Sequence, residues 1–405
     1  MEKKKMKIVN KILQEVKTNG DAAIRLYTKK FDKMNLKNFE VTQGEIKKAY
    51  QSVDKETIKA LKAAKRNTEF FAKRQMQQFK DFEIKKDGLT VGQKVIPIET
   101  IGAYIPGGNY PLPSTALMCI IPARIAGVKN IIACSPKIRP ETIVAADLAG
   151  AGRLFRIGGA QAIAAMAYGT RTIPKVDKIV GPGNIYVTAA KKEIFGQCRI
   201  DFLAGPSEVM IIADSTTDSN FAAADLLAQL EHDTNSRAFL ISSSKELIKN
   251  VKDKIKLQLD NLVTKSIIKK SIKNLKIIKI KNIEDGINIS NQIAPEHLEL
   301  QVKNPEKYMK KLKNYGSLFL GKYSVEAFGD YCSGTNHVLP TNGGARFTGG
   351  LSVRDFIKLQ TYQKINYKGV KKLAPIALKL SKIEGLDGHR KSTLARLEKR
   401  NIYKL

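Results

Sequence analysis

The chain is sparing with the residues that would declare its chemistry outright. It holds only four histidines and four cysteines in 405 residues. The cysteines, at 119, 134, 198 and 332, form no Cys-x-x-Cys pair, and the first three sit in or at the ends of apolar runs. That pattern excludes a disulfide scaffold and a thiolate metal site. It predicts free, packed thiols in a reducing compartment rather than a cysteine nucleophile. Long hydrophobic runs are missing too. The longest, near 115–128, is broken by Pro122 and Arg124 and falls short of membrane-spanning length. The opening Met1-Glu-Lys-Lys-Lys-Met-Lys7 leads into mixed polar and apolar sequence rather than a signal-peptide apolar core. A cytoplasmic protein with no membrane partner is expected.

Acid is the scarcer charge, with 38 Asp+Glu against 70 Lys+Arg and a formal net charge of +32. Such a balance would suit nucleic acid or an anionic membrane. The basic residues are mostly Lys, however, spread along the chain and denser at the N-terminus, at 250–282 and after 358. There is no zinc-finger spacing, no aromatic-rich strand of an RNA-binding sheet and no Arg-rich arm. A generally positive surface is the reading, with no nucleic-acid partner.

Order is plentiful. Residues 1–80 read as helical, broken at Gly20-Asp21, with Asp21 as an N-cap, and 82–98 read as a strand or hairpin. From about 99 a strand, glycine turn and helix alternate: Ile101–Asn109, Asn130–Ser135, a helix over 140–149, Arg153–Ile157, the turn Gly158-Gly-Ala-Gln161, Val176–Val180 and the turn Gly181-Pro-Gly-Asn184. A second such run follows Gly205-Pro-Ser-Glu208, through Val209–Ala213, Ala238–Ile241, Leu275–Ile280 and a buried strand at Gly316–Gly321. This rhythm is that of α/β architecture with parallel sheets and crossover helices. Ligands in such sheets gather at the carboxyl ends of the strands. Glycine there lets backbone approach a ligand, and a helix N-terminus favours an anion. No Gly-x-Gly-x-x-Gly with a following acid is present, and such turns taken alone are more often plain strand-to-helix punctuation than cofactor loops.

Four regions bring histidine beside an acid or amide. Gln229 and His232, three apart at a helix read over 222–233, share one face and could grip a divalent cation. Glu296 and His297 are adjacent, offering two proton-transfer groups in one turn. Asp330 and His337 lie in the polar loop Gly329–His337. Glu384 and His389 flank a break in a helical stretch read over 366–401. Nitrogen and oxygen donors of this kind suit zinc or manganese. Each pair also has a plainer reading: a helix cap at Glu296-His297, a turn cap at Asp330, a surface residue at His389.

Across nearly the whole chain, from Gly20-Asp21 to His389, these motifs resemble the histidinol dehydrogenase family. The resemblance rests on Tyr104-Ile-Pro-Gly-Gly, Gly158-Gly-Ala-Gln-Ala-Ile, Val180-Gly-Pro-Gly-Asn, Ala204-Gly-Pro-Ser-Glu, Gln229-Leu-Glu-His, Ala294-Pro-Glu-His-Leu, Gly329-Asp-Tyr-Cys-Ser-Gly-Thr-Asn-His and Glu384-Gly-Leu-Asp-Gly-His, all in the family's order. It implies oxidation of L-histidinol to L-histidine through the aldehyde, with two NAD+ reduced in succession. Gln229, His232, Asp330 and His389 would bind one Zn2+ per subunit. His297 would be the base for the hydroxyl proton, and Glu296 would activate the water for the second oxidation. Ser207, His337 and Glu384, with Gln229, His232, His297, Asp330 and His389, would contact substrate. Tyr104, Gln161 and Asn184 would contact NAD.

The implied fold is two incomplete Rossmann-like domains with parallel sheets, plus N- and C-terminal helical extensions, in an intertwined homodimer. Residues 1–103 with 207–345 would form the first α/β domain and 104–206 the NAD-binding one. A C-terminal dimerisation segment, 346–405, would bring Glu384 and His389 to the partner's site in trans. Two departures stand out. The segment before Gly20 is shorter than the family usually has, and Gly388 precedes His389 where Ala is common. A nucleic-acid-binding protein on a disabled scaffold would have lost a site residue, and none is lost. A relative acting on another amino alcohol would change its substrate contacts, yet His337 and Glu384 are retained.

Overall fold

Apolar residues three and four apart, Val9, Ile12, Leu13, Val16 and Ile24, form the buried stripe of the first helix, α1 (Glu2–Tyr27). The computed structural model describes residues 2–107 and 110–398. Gly108 and Asn109 of the first glycine turn, and residues 399–401 of the last helical stretch, lie outside the described residues. The break read at Gly20 is a kink inside α1, with φ 51° and ψ −127° at that glycine. Asp21 does not cap. Its carboxylate instead accepts from the Thr172 hydroxyl at 2.5 Å.

Helices α2 (Gln43–Ser52) and α3 (Lys55–Met76) follow, α2 opened by a reciprocal cap between Thr42 and Glu45. Then come the strands β1 (Phe82–Lys86) and β2 (Leu89–Pro97). The first α/β run comprises β3 (Thr100–Tyr104), α4 (Pro113–Ile125), β4 (Asn130–Cys134), α5 (Pro140–Ala149), β5 (Arg153–Phe155), α6 (Gly159–Tyr168), β6 (Lys178–Val180), α7 (Ile185–Ile194) and β7 (Arg199–Ile200). The second comprises β8 (Glu208–Ala213), α8 (Ser219–Leu230), β9 (Arg237–Ser242), α9 (Lys245–Leu259), α10 (Lys265–Ser271), β10 (Leu275–Lys279), α11 (Ile283–Ile293), β11 (His297–Gln301), β12 (Ser317–Leu320) and α12 (Glu326–Tyr331). The chain continues through β13 (Ile357–Ile365), α13 (Tyr367–Ile383) and α14 (Asp387–Leu397).

Both five-stranded sheets are parallel and repeat one topology, β5-β4-β3-β6-β7 and β10-β9-β8-β11-β12. In each, the first strand is central, the next two add to one side and the last two to the other. That is the doubly wound order short of its sixth strand. Strands covered on both faces read as continuous apolar runs, and every residue of β8 is buried. Each Val, Ile or Leu so buried contributes roughly 1.5–3 kcal/mol. The strand read as buried at 316–321 is only half covered, with Phe319 its one buried residue, because β12 is an edge strand. In the first sheet, α1 packs on α6 and α7, which sets the N-terminal helix beside the glycine turns.

These α/β runs fall in one compact unit, Met1–Met76 with Ile98–Phe356, and a second unit holds Gln77–Pro97 with Ile357–Leu405. In the second unit β2 pairs antiparallel with β1 and β13. The β1–β2 turn is Asp87-Gly88, both at positive φ, as a tight two-residue hairpin requires. Along α13, Ile376, Leu380 and Ile383 leave an apolar stripe exposed, continued by Leu386 just beyond the helix. Among the described residues no helix is long and apolar enough to cross a membrane.

Candidate active site

The acid–base residues gather at the amino edge of the second sheet, not at its carboxyl edge. Glu296 and His297 open β11, Ser207 and Glu208 open β8, and Gln229 and His232 come from the last turn of α8 and the turn after it. Helix α8 ends at Leu230, so His232 is not helical, and its N–H reaches the Gln229 carbonyl oxygen at 3.4 Å. Asp330, by contrast, is on a helix rather than in a loop, four residues after Glu326 on α12, so the two carboxylates share a face. Just before the pair, Ala294 ends α11 at φ 55°, a left-handed conformation costly for a residue with a Cβ. That bend turns the chain from helix into β11.

His297 is the hub. Its Nδ1 lies 3.2 Å from the Glu208 carbonyl oxygen, so Nδ1 carries the proton and donates it. Its Nε2 is buried without a hydrogen-bond partner, 3.7 Å from an Asp330 oxygen. Carboxylates of Glu326 and Glu296 stand 3.6 and 3.8 Å from Nδ1. Burial acts to lower the pKa of the imidazole, but the surrounding charges of Glu326, Glu296 and Asp330 hold it well above its ordinary value. Glu296 accepts from the Glu208 N–H at 2.9 Å, and burial pushes its carboxyl up to about 7. Glu208 is anchored in turn by Arg237 and by the Asn342 N–H at 2.9 Å.

His232, Glu326 and Asp330 offer ligand atoms all within 4.8 Å of one another, a cluster able to hold a metal ion. Burial raises Glu326 to about 8, whereas Asp330, despite burial, is held below its ordinary value by the His297, His337 and His232 imidazoles. Gln229 is fully buried, and its amide nitrogen donates to Glu326 at 2.8 Å while its oxygen takes the Glu208 N–H at 3.3 Å. His232 is open to the cavity, yet the walls around it still depress its pKa by desolvation. Burial lowers His337 as well, and its Nδ1 is buried and unpartnered.

A cavity of about 1210 Å³ runs from His232, Glu231 and Tyr331 to the carboxyl edge of the first sheet. There it meets Tyr104 at the end of β3, Gly159 and Gln161 opening α6, and Asn184 before α7. The Tyr104 hydroxyl accepts from the Gly159 N–H at 3.1 Å. Asn184 caps α7 by accepting from the N–H groups of Tyr186 and Val187 at 3.0 and 3.2 Å, which leaves its own amide N–H groups for a ligand. Gln161 is buried with an unpartnered Oε1. A Cβ at Gly181 would collide with the Tyr104 carbonyl oxygen, and a buried Lys191–Asp201 ion pair ties down that turn through the Gly181 N–H and C=O. Polar atoms without partners beside tight glycine turns fit a dinucleotide-sized ligand.

Ser207 sits at the cluster's edge before β8. Glu384 and His389 belong to the second unit, at the end of α13 and in the first turn of α14, and both are exposed. Reading the sequence missed Glu326 and Glu208. The i, i+4 spacing of Glu326 and Asp330 was the available signal for the first. Glu208 closes the Ala204-Gly-Pro-Ser-Glu motif, but its role is made by the pairing of β8 with β11.

Two doubly wound parallel sheets, with a long cavity that reaches His232 of the histidine–carboxylate cluster, fit the class of dehydrogenases. The histidinol dehydrogenase family profile matches residues 1–397, and the chain belongs to that family. It is 48% identical over 395 residues to the histidinol dehydrogenase of Methanocaldococcus jannaschii, covering 96% of this chain and 92% of that one. It is 46% identical over 388 residues to that of Methanosarcina barkeri, covering 95% and 90%. The crystal structure of histidinol dehydrogenase from Elizabethkingia anophelis superposes with a TM-score of 0.93 at 42% identity, over 96% of this chain and 92% of that one.

Proposed function

We propose that the chain is a zinc-dependent, NAD-linked enzyme that carries L-histidinol to L-histidine through the aldehyde, the last two steps of histidine biosynthesis, in the cytoplasm. The observation that carries this reading is the unpartnered Nε2 of His297, set beside a metal-competent cluster at one end of the cavity. His297 Nε2 would take the hydroxyl proton of the alcohol once a bound cation offsets the carboxylates that raise its pKa, and NAD+ would supply the hydride acceptor. Glu208, holding Nδ1–H, fixes the tautomer that makes Nε2 the base. In the second oxidation Glu296 takes a proton from the attacking water, with His297 again assisting. A carboxyl raised to about 7 is poised to do so near neutrality.

Gln229, His232 and Asp330, joined by His389, are the zinc ligands in this reading, and Glu326 holds the Gln229 amide in place. When bound, zinc supplies a charged template for the imidazole and amine of the substrate and offsets the carboxylates around it. Ser207, His337 and Glu384 complete the substrate contacts. Tyr104, Gln161 and Asn184 hold the cofactor, within an NAD-binding domain at 104–206. Residues 1–103 with 207–345 form the other α/β domain, and 346–405 the dimerisation segment. Exposure of Glu384 and His389, and of the apolar stripe Ile376, Leu380, Ile383 and Leu386, supports an intertwined homodimer in which both residues act in trans.

The test is NADH formation from L-histidinol by the purified protein, before and after chelation and return of zinc. About two NADH per histidine, lost with chelator and restored by zinc, is the expected result. A zinc-loaded, folded dimer that forms no NADH would overturn it.

A further inference from the structure

In a doubly wound sheet the turn after the first strand faces the pyrophosphate of a dinucleotide. The end of the second strand faces the adenosine ribose, where an acid that accepts from the 2′-hydroxyl selects NAD+ over NADP+. Here the second strand is β4, and it runs out into Ser135-Pro136-Lys137, with no acid. The acid of the usual fingerprint is therefore missing from its usual place. An acid reaches the same place from elsewhere in the chain. A single π-helical turn, Thr28–Asp32, follows α1 and ends on Asp32. Asp32 lines the cavity together with Tyr104, Pro136, Lys137 and Gly159.

The Asp32 Oδ2 is buried and has no hydrogen-bond partner. Among the described residues lining the cavity the only other acid is Glu231, at the opposite end beside His232, and its carboxylate already accepts from the Thr264 hydroxyl at 2.6 Å. Asp32 therefore stands as the free acceptor at the ribose end. Burial raises its pKa, and the positive charge of Lys137 works against that rise, favouring the anion that a hydroxyl donor would meet.

We propose that Asp32 is the residue that makes this enzyme choose NAD+ over NADP+, its carboxylate accepting a hydrogen bond from the 2′-hydroxyl of the adenosine ribose. This rests on the cofactor reading above. A 2′-phosphate would set its charge against a carboxylate that has little water to screen it. With the carboxylate gone, Lys137 is the charged residue left at that end among the described residues lining the cavity, and it suits a phosphate.

Calorimetric titration of the dimeric protein with NAD+, NADP+ and 2′-deoxyadenosine NAD+ tests the assignment, with the isosteric Asp32→Asn variant alongside. The wild type is expected to bind NAD+ about tenfold or more tighter than either other nucleotide, since a hydrogen bond to a charged group has that worth. In Asp32→Asn both preferences should shrink by about tenfold, with NADP+ binding gained rather than lost. Wild-type protein that binds NAD+ and its 2′-deoxy analogue equally overturns the assignment without recourse to any variant. So does an Asp32→Asn protein that binds with unchanged preference. Wild-type protein that binds none of the three overturns the cofactor reading itself, and this assignment with it.

Discussion

The Nδ1 of His297 and the carbonyl oxygen of Glu208 are 3.2 Å apart, joined across the pairing of β11 with β8. Because a main-chain oxygen can only accept, this contact fixes Nδ1 as the nitrogen that keeps its proton and leaves Nε2 as the one that takes up and releases the second. The Glu208 N–H donates to Glu296 at 2.9 Å, so one residue orients both proton-transfer groups from its two main-chain polar atoms.

His297→Asn is predicted to keep an amide N–H for the Glu208 carbonyl but to lose the titrating Nε2. Both oxidations should slow by about 10²–10⁴-fold, the usual share of a positioned general base. Steady-state rates from L-histidinol and from the aldehyde, measured separately, check this. An undiminished rate with either one would remove His297 from that half-reaction.

Glu296→Gln should divide the reaction. Its amide can still take the Glu208 N–H but cannot accept a proton from water. Oxidation of L-histidinol to the aldehyde is expected to persist while aldehyde oxidation falls by about 10²-fold or more. Single-turnover NADH yield should then approach one equivalent in place of two. Equal loss in both halves would defeat this division of labour.

Glu326 touches the Gln229 amide at 2.8 Å and stands 3.6 Å from His297. Glu326→Gln is predicted to weaken zinc binding by about 10–100-fold, the range for a partner that orients a ligand. Competition with a coloured chelator measures this without any turnover. Circular dichroism of the variant should match wild type, and unchanged zinc affinity would show that Glu326 plays no part in holding the metal site.

Much of this architecture was legible in the sequence because its signals are local. Glycine turns, apolar runs of strand length and a helix over 140–149 each depend on a few adjacent residues, and α5 begins and ends where that reading placed it. What was not legible depends on residues distant in the chain. Pairing of β13 with β2 joins residues some 260 apart, and no run of Ile357–Ile365 announces it, since all but one of its residues are exposed. Asp21 looked like a cap because nothing local reveals Thr172. The cluster at the amino edge of the second sheet ran against the general rule for such sheets, and only the observed register of β8 and β11 places Glu208 against His297. Asp32 carries no motif at all.

A pH effect follows from the acid pair behind the cluster. Glu299 and Asp225 are both buried and share the Gln301 amide nitrogen, at 2.7 and 2.9 Å. Burial, reinforced by the nearby Asp225 charge, raises Glu299 well above its ordinary value. The folded state therefore keeps a proton that the unfolded chain releases above about pH 4.3. Between that pH and the raised value the unfolded state binds fewer protons, so stability falls as pH rises. Glu299→Gln carries no such proton. Its melting temperature should decline less than wild type's between about pH 5 and pH 8. Parallel pH curves for the two proteins would mean that Glu299 is ionised in the folded state.

Gly316 tests how tightly the catalytic pair is held. The Gly316 N–H donates to the Pro295 carbonyl at 2.9 Å, and the next N–H, of Ser317, donates to the Glu296 carbonyl at 2.8 Å. A Cβ at Gly316 would lie 2.5 Å from that same Glu296 oxygen, and main chain cannot swing aside as a flexible side chain can. Gly316→Ala must therefore push β11 away from β12 at the one point where Glu296 and His297 enter the sheet. Overpacking of this kind costs about 1–3 kcal/mol of stability, read from denaturant unfolding. Movement of the pair by a fraction of an ångström also disturbs the two contacts with Glu208, so turnover should drop by about 10-fold or more while NAD+ binding at the first sheet is unchanged. A variant as stable and as active as wild type would show that the entry to β11 yields freely, and that its position does not set the reactivity of His297.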